Sequence, residues 1–143
     1  MLPGEIMTTH HAVIWLDHAE AHIIHFTVNT AEKEVVKTHS THPHLHVLSG
    51  NVGSGRVPVN GRYFEDIINS LHDSIEILLM GPGNEKDEFM KYVKLHHKPV
   101  AEKIVATLTD DHPTDLQLLA FARKYFVKLD KINMNPVNGL KHP

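Results

Sequence analysis

Cysteine is absent from the chain, which removes disulfides, thiolate zinc sites and cysteine nucleophiles together and suits a reducing compartment. Long apolar runs are absent as well. None approaches the ~20 residues of a membrane span, and the first residues lack the basic patch and apolar core of a signal peptide, so a soluble, cytoplasmic protein with no membrane partner is expected. Neither sign of charge dominates: at −3 with neutral histidines the chain is no strongly basic nucleic-acid binder that works by bulk phosphate neutralisation. Glutamine occurs once, as Gln117. What the chain has in excess is histidine, and protonating all 14 would carry the formal charge from −3 to +11, so the surface is acidic at neutral pH and basic in mild acid. With 143 residues one domain can bury about two-thirds of the surface its unfolded chain exposes. Folding therefore requires no metal or disulfide, and no cofactor is expected.

The stretch Ile75 to Val93 carries the clearest structural signal. Ile77, Leu78, Leu79 and Met80 form a short uninterrupted apolar run, suited to a strand covered on both faces, and Gly81-Pro82-Gly83 stops it with a turn. A helix follows. Asn84 is placed to cap it through a side-chain bond from the backbone N–H of Asp87, the acids Glu85, Asp87 and Glu88 face its positive end, and Phe89, Tyr92 and Val93 recur at helical spacing.

The first half of the chain reads as an antiparallel meander of three strands, Ala12–Asp17, Ala21–Thr27 and Glu34–Thr38, rich in β-branched and aromatic residues. Trp15 reads as core. After them Phe64, Ile67, Ile68 and Leu71 keep the i, i+3, i+4, i+7 spacing of a helix; then come the strand at Ile77, the helix from Asn84, a strand at Lys103–Leu108 and a last helix. Thr114 with Gln117 makes a capping box at the start of that last helix, and Leu118, Ala122, Tyr125, Phe126 and Leu129 form its inner stripe. The order βββαβαβα predicts an α/β fold, a ribonuclease H-like mixed five-stranded sheet with helices on both faces. Residues 1–10 read as an irregular leader, with Met7 as an alternative start to Met1, residues 11–129 as a single α/β domain, and residues 130–143 as a flexible tail. Residues 39–62 have no regular pattern, which marks a functional or mobile loop.

The residues GPGNEKDEFMKYV after a buried strand, and DHPTDLQLLAFARKYF near the end, resemble the middle domain of the class 1 peptide-chain release factors of eukaryotes and archaea and of the ribosome-rescue factor Pelota, in a stand-alone bacterial form labelled a translational machinery protein. Gly81-Pro82-Gly83 with Lys86 and Phe89 is similar to the Pro-Gly-x-x-Lys-x-x-Phe stretch of the Pelota-type domain, and the resemblance spans roughly His11 to Leu129. It implies the fold and association with the ribosome. One departure limits it: release factors carry Gly-Gly-Gln in the loop after the third strand, whose glutamine helps water attack the peptidyl-tRNA ester, whereas this loop offers Gly53-Ser54-Gly55-Arg56. Peptide release by that mechanism is not expected.

The resemblance and the irregular loop together give the leading reading, a non-catalytic, translation-associated protein that binds the ribosome or structured RNA through His42, His44, His46, Ser54, Arg56 and Arg62, with the two arginines on phosphate. Other readings stay open. His42 and His44, two residues apart on an extended chain, point the same way about 7 Å apart and with His11 would make a zinc or nickel site. Gly81, Gly83 and Asn84 at a helix N-terminus suit an anion through free backbone N–H groups, while the bland alternative is simple turn chemistry. The ribonuclease H-like order also invites a metal-dependent nuclease or hydrolase built on Asp17, Glu65 or Asp66, Asp110 and Asp111. A third class is an interaction module that acts as a homodimer.

Overall fold

The computed structural model describes residues 10–38, 61–71, 73–111 and 113–134. Five strands make one sheet: β1 (His11–Leu16), β2 (Glu20–Phe26), β3 (Ala31–Lys37), β4 (Glu76–Gly81) and β5 (Ile104–Thr109). Helix α1 (Gly61–Asn69) precedes β4, α2 (Glu85–His96) and the single turn α3 (Lys98–Ala101) join β4 to β5, and α4 (Asp115–Met134) follows β5. The spatial order of the strands is β3-β2-β1-β4-β5. β2 is antiparallel to β1 and β3, whereas β4 is parallel to both β1 and β5. This is the ribonuclease H-like mixed sheet expected from the order of elements, with the short α3 added. Its cue was present in His97-Lys98-Pro99, because proline in the first turn of a helix gives up a hydrogen bond that would go unmade there anyway.

The chain divides into two compact units at Asp111. In the first, the centre of the sheet is apolar on both faces: Ala12 through Leu16 and Ile77 through Met80 are all buried, as the unbroken apolar runs in β1 and β4 require. One face packs Ala12, Ile14, Leu16, Ile23, Ile77 and Leu79 against Tyr63, Phe64 and Ile67 of α1 and Phe89 and Val93 of α2. The i, i+4 recurrence in each helix places those side chains in one stripe, and burying each large one contributes about 2 kcal/mol. Val13, Trp15, Ile24, Leu78 and Met80 are buried on the opposite face. A bulge opposite Ile77 and Leu78 sends Ile104 to the helix-covered face while Ala106 pairs with Leu78 and Leu108 with Met80.

The second unit is described by α4, which runs through Asp130 as far as Met134. Its start is the expected capping box: the Gln117 backbone N–H donates to Thr114 Oγ1 at 3.1 Å, and the Thr114 N–H donates to Gln117 Oε1 at 2.9 Å. Leu118, Ala122 and Phe126 are buried, and Tyr125 and Leu129 are half-buried.

The start of α2 departs from expectation. Asn84 makes no side-chain cap; its backbone is already helical, at φ −90° and ψ −7°, and its carbonyl accepts from the N–H groups of both Asp87 and Glu88 at 2.9 and 3.0 Å. A side-chain cap needs an extended backbone at that position.

Candidate functional site

The parallel strands β1 and β4 end together, and the groups around that end are set by turn chemistry. Asp17, the first residue past β1, accepts from the backbone N–H groups of Ala19 and Glu20 at 2.8 and 2.9 Å through Oδ1, closing the turn into β2. Tyr63, near the start of α1, donates its hydroxyl to the Asp17 carbonyl at 2.9 Å, and the Thr38 N–H donates to the Ala19 carbonyl at 3.0 Å. The flanks of residues 39–60, Thr38 on one side and the first turn of α1 on the other, therefore both stand at the carboxyl end of β1. In open α/β sheets this end is the usual place for a ligand. Trp15 is buried as expected and gives its indole N–H to the Asp111 carbonyl at 2.7 Å. Burial, reinforced by the negative charge of Asp17, raises the Tyr63 pKa well above the ordinary phenol value, so its hydroxyl remains a donor at any physiological pH.

Gly81-Pro82-Gly83 leaves β4 at this same end. Gly81 is the last residue of β4, so close to β1 that a Cβ there would lie 2.4 Å from the Leu16 carbonyl oxygen. Lys86, buried in the first turn of α2, bends back so that its ammonium donates to the Gly83 carbonyl at 2.5 Å. The turn thus has a cation of its own, with Glu85, Asp87 and Glu88 beside it.

Of the residues singled out for RNA or ribosome binding, His42, His44, His46, Ser54 and Arg56 lie outside the described residues, while Arg62 is exposed on α1. His11 stands at the opposite end of β1 from Asp17, six residues or roughly 20 Å away along the strand, and is engaged there: its Nε2 meets Glu76 Oε1 at 3.0 Å and its ring stacks on Phe26 at 5.7 Å. The carboxylates proposed for two-metal chemistry are not gathered into one centre. Asp17 serves the turn, Glu65 belongs to the cluster described next, and among the described residues no three histidine, aspartate or glutamate side chains come close enough to share a metal ion.

That cluster was not visible in the sequence. Glu65 on α1 accepts the Tyr92 hydroxyl at 2.5 Å and meets His97 Nε2 at 2.9 Å, and the Tyr92 ring lies 4.5 Å from that of His96. The partners are 27 and 32 residues from Glu65 in the chain, so no local spacing joins them. The hydrogen bond from Tyr92 holds the Glu65 carboxyl below its usual pKa, aided by the one to His97, while burial and the nearby carboxylate push the Tyr92 hydroxyl up to about 12. The cluster clamps α1 to the end of α2. Because a depressed carboxyl stabilises the fold only while it is ionised, its contribution is present above the ordinary glutamate range and is lost as pH falls through the lowered value. Glu65→Ala is expected to cost about 1 kcal/mol at pH 7, since the carboxylate is partly exposed. The difference from the parent, read from urea midpoints, is expected to shrink in acid; a difference that is constant with pH would show that the ionised carboxylate is not the source.

With this geometry in place, the comparisons with known proteins are specific about fold. No protein-family model matches the chain, and no curated protein matches it. Among solved structures, Pelota of Archaeoglobus fulgidus superposes with a TM-score of 0.57 at 10% identity, over 97% of this chain and 46% of its own. The chain shares its fold with part of Pelota. Pelota of Thermoplasma acidophilum aligns with a TM-score of 0.53 at 22% identity over 78% of this chain and 31% of its own, and the archaeal translation termination factor aRF1 with 0.55 at 14% over 91% and 41%. The chain spans less than half the length of Pelota and of aRF1, consistent with the middle-domain resemblance of GPGNEKDEFMKYV.

Proposed function

We propose that the chain is a translation-associated, non-catalytic module that binds the ribosome or structured RNA. The fold it shares with Pelota and with the termination factor aRF1 supports this reading. The end of the sheet where Thr38 and Tyr63 meet the β1–β2 turn is the face it would present, with Arg62 exposed there and His42, His44, His46, Ser54 and Arg56 supplied by the intervening segment. The non-catalytic part rests on side-chain chemistry. The sole glutamine, Gln117, is held in the cap of α4, and the Asp17 side chain is committed to the β1–β2 turn.

Sucrose-gradient sedimentation of a cell lysate at low salt tests the proposal. The protein is expected to travel with ribosomal particles and to leave them as salt is raised, because phosphate contacts weaken with ionic strength. Protein that stays at the top of the gradient at low salt would overturn it.

A further inference from the structure

The buried stripe of α4, Leu118, Ala122 and Phe126, accounts for one side of that helix. A second stripe does not serve burial. Gln117, Phe121, Lys124, Lys128 and Lys131 recur at steps of four, three, four and three residues, which keeps them on one line along the helix, and all five are exposed. Phe121 is 43% exposed, and its ring stacks on that of Tyr125 with centroids 6.4 Å apart and planes 28° apart. The helix carries only two acids, Asp115 and Asp130, and at 100° per residue both fall on the opposite side from the lysines. Among the described residues, Lys124, Lys128 and Lys131 form no ion pair.

From this arrangement we infer that the line from Phe121 to Lys131 on α4 is a docking surface for single-stranded RNA. The occupant follows from complementarity. The lysines succeed one another about 6 and then 4.5 Å apart along the axis, a row of cations with no acid among them, in a chain whose formal charge is −3. A strand of phosphates satisfies such a row. The flat, partly exposed Phe121–Tyr125 pair at its head is what an unstacked base requires, since a base can lie on an aromatic face whatever its identity. A lipid surface fits less well. An interfacial helix inserts one continuous apolar face, whereas here the line of Phe121 and the lysines separates exposed Ile132 on one flank from exposed Leu116 and Val127 on the other. The inference rests on the RNA reading above and gives it a second contact area, on the second unit.

The test is fluorescence anisotropy of the full chain with a labelled oligouridylate, across a salt series. Replacing Lys124, Lys128 and Lys131 together by glutamine is expected to flatten the slope of log affinity against log salt by about 2, close to 0.7 for each of three phosphate contacts on a single strand. Phe121→Ala is expected to weaken binding on the order of tenfold with the slope unchanged, the signature of lost stacking rather than lost charge. All four positions are exposed, and circular dichroism checks that each variant folds. Absence of oligouridylate binding by the parent, or parental affinity and slope in the lysine variant, would overturn the inference. So would binding to anionic phospholipid vesicles, but not to RNA, that the lysine variant loses. The same lysine variant on the sucrose gradient separates the two proposals. If it still travels with ribosomal particles while the oligouridylate assay shows no role for the lysines, the α4 surface fails and the ribosome reading stands; if the parent does not sediment with ribosomes yet binds RNA through α4, the reverse holds.

Discussion

Gly81→Ala is expected to lower stability by about 3 kcal/mol, the upper end of what overpacking costs. The added methyl would sit 2.4 Å from the carbonyl oxygen of Leu16, and that oxygen is backbone, unable to rotate aside as a side-chain end would. Relief means prising β4 from β1 at the centre of the sheet, where Leu16 and Met80 are both buried. Gly83 supplies the control, two residues on: a methyl there meets nothing within 4 Å and the residue has no left-handed backbone, so Gly83→Ala is expected to be neutral or to stabilise by up to about 1 kcal/mol through the unfolded chain. Urea midpoints for the pair decide it. Equal midpoints would mean that β1 and β4 are farther apart at this end than the structure has them.

Phe89→Ala is expected to cost about 3 to 5 kcal/mol, as loss of a large buried ring does when its surroundings cannot collapse into the space. Phe89 is fully buried and meets the Phe64 ring edge-on, with centroids 5.3 Å apart and planes 79° apart, so its removal strips both the α1–α2 contact and the cover over Ile77 and Leu79. Leu95, on the same helix, is 76% exposed, and Leu95→Ala is expected to change stability by less than about 0.5 kcal/mol. Denaturant midpoints in the reverse order would show that the buried face of α2 is assigned wrongly.

The fold was legible where one physical requirement set the residues. The apolar runs of β1 and β4 can be satisfied only by burial on both faces, and the Thr114–Gln117 pair has few uses besides capping a helix. Legibility failed where partners decide. β3 begins at Ala31 rather than Glu34 because Phe26 of β2 pairs with Ala31 and His25 with Glu32; on an exposed edge strand the ladder, not side-chain propensity, sets the limit. Asn84 has a cap's chemistry without a cap's backbone. The Glu65, Tyr92 and His97 cluster could not be read at all, since its members are joined only by the packing of α1 on α2. For the candidate site, the sequence pointed to residues 39–62 as a segment and to Asp17 as a strand-end acid, but it could not show that the Asp17 side chain is committed to the turn and its carbonyl to Tyr63.

The parallel pairing of β1 with β4 also governs when the protein can fold. His11 meets Glu76 across 65 residues, and Trp15 reaches Asp111 across 96. Loop-closure entropy must be overcome before such remote contacts form, so folding is slow relative to a helical protein of this size. As the chain leaves the ribosome, β1, β2 and β3 emerge first and can pair by short turns, yet β1 then presents a bare edge and two apolar faces until Gly81 has been made. A nascent chain halted in that interval exposes a strand ready to pair with any other strand it meets, and the arrival of β4 is the step that closes the hazard.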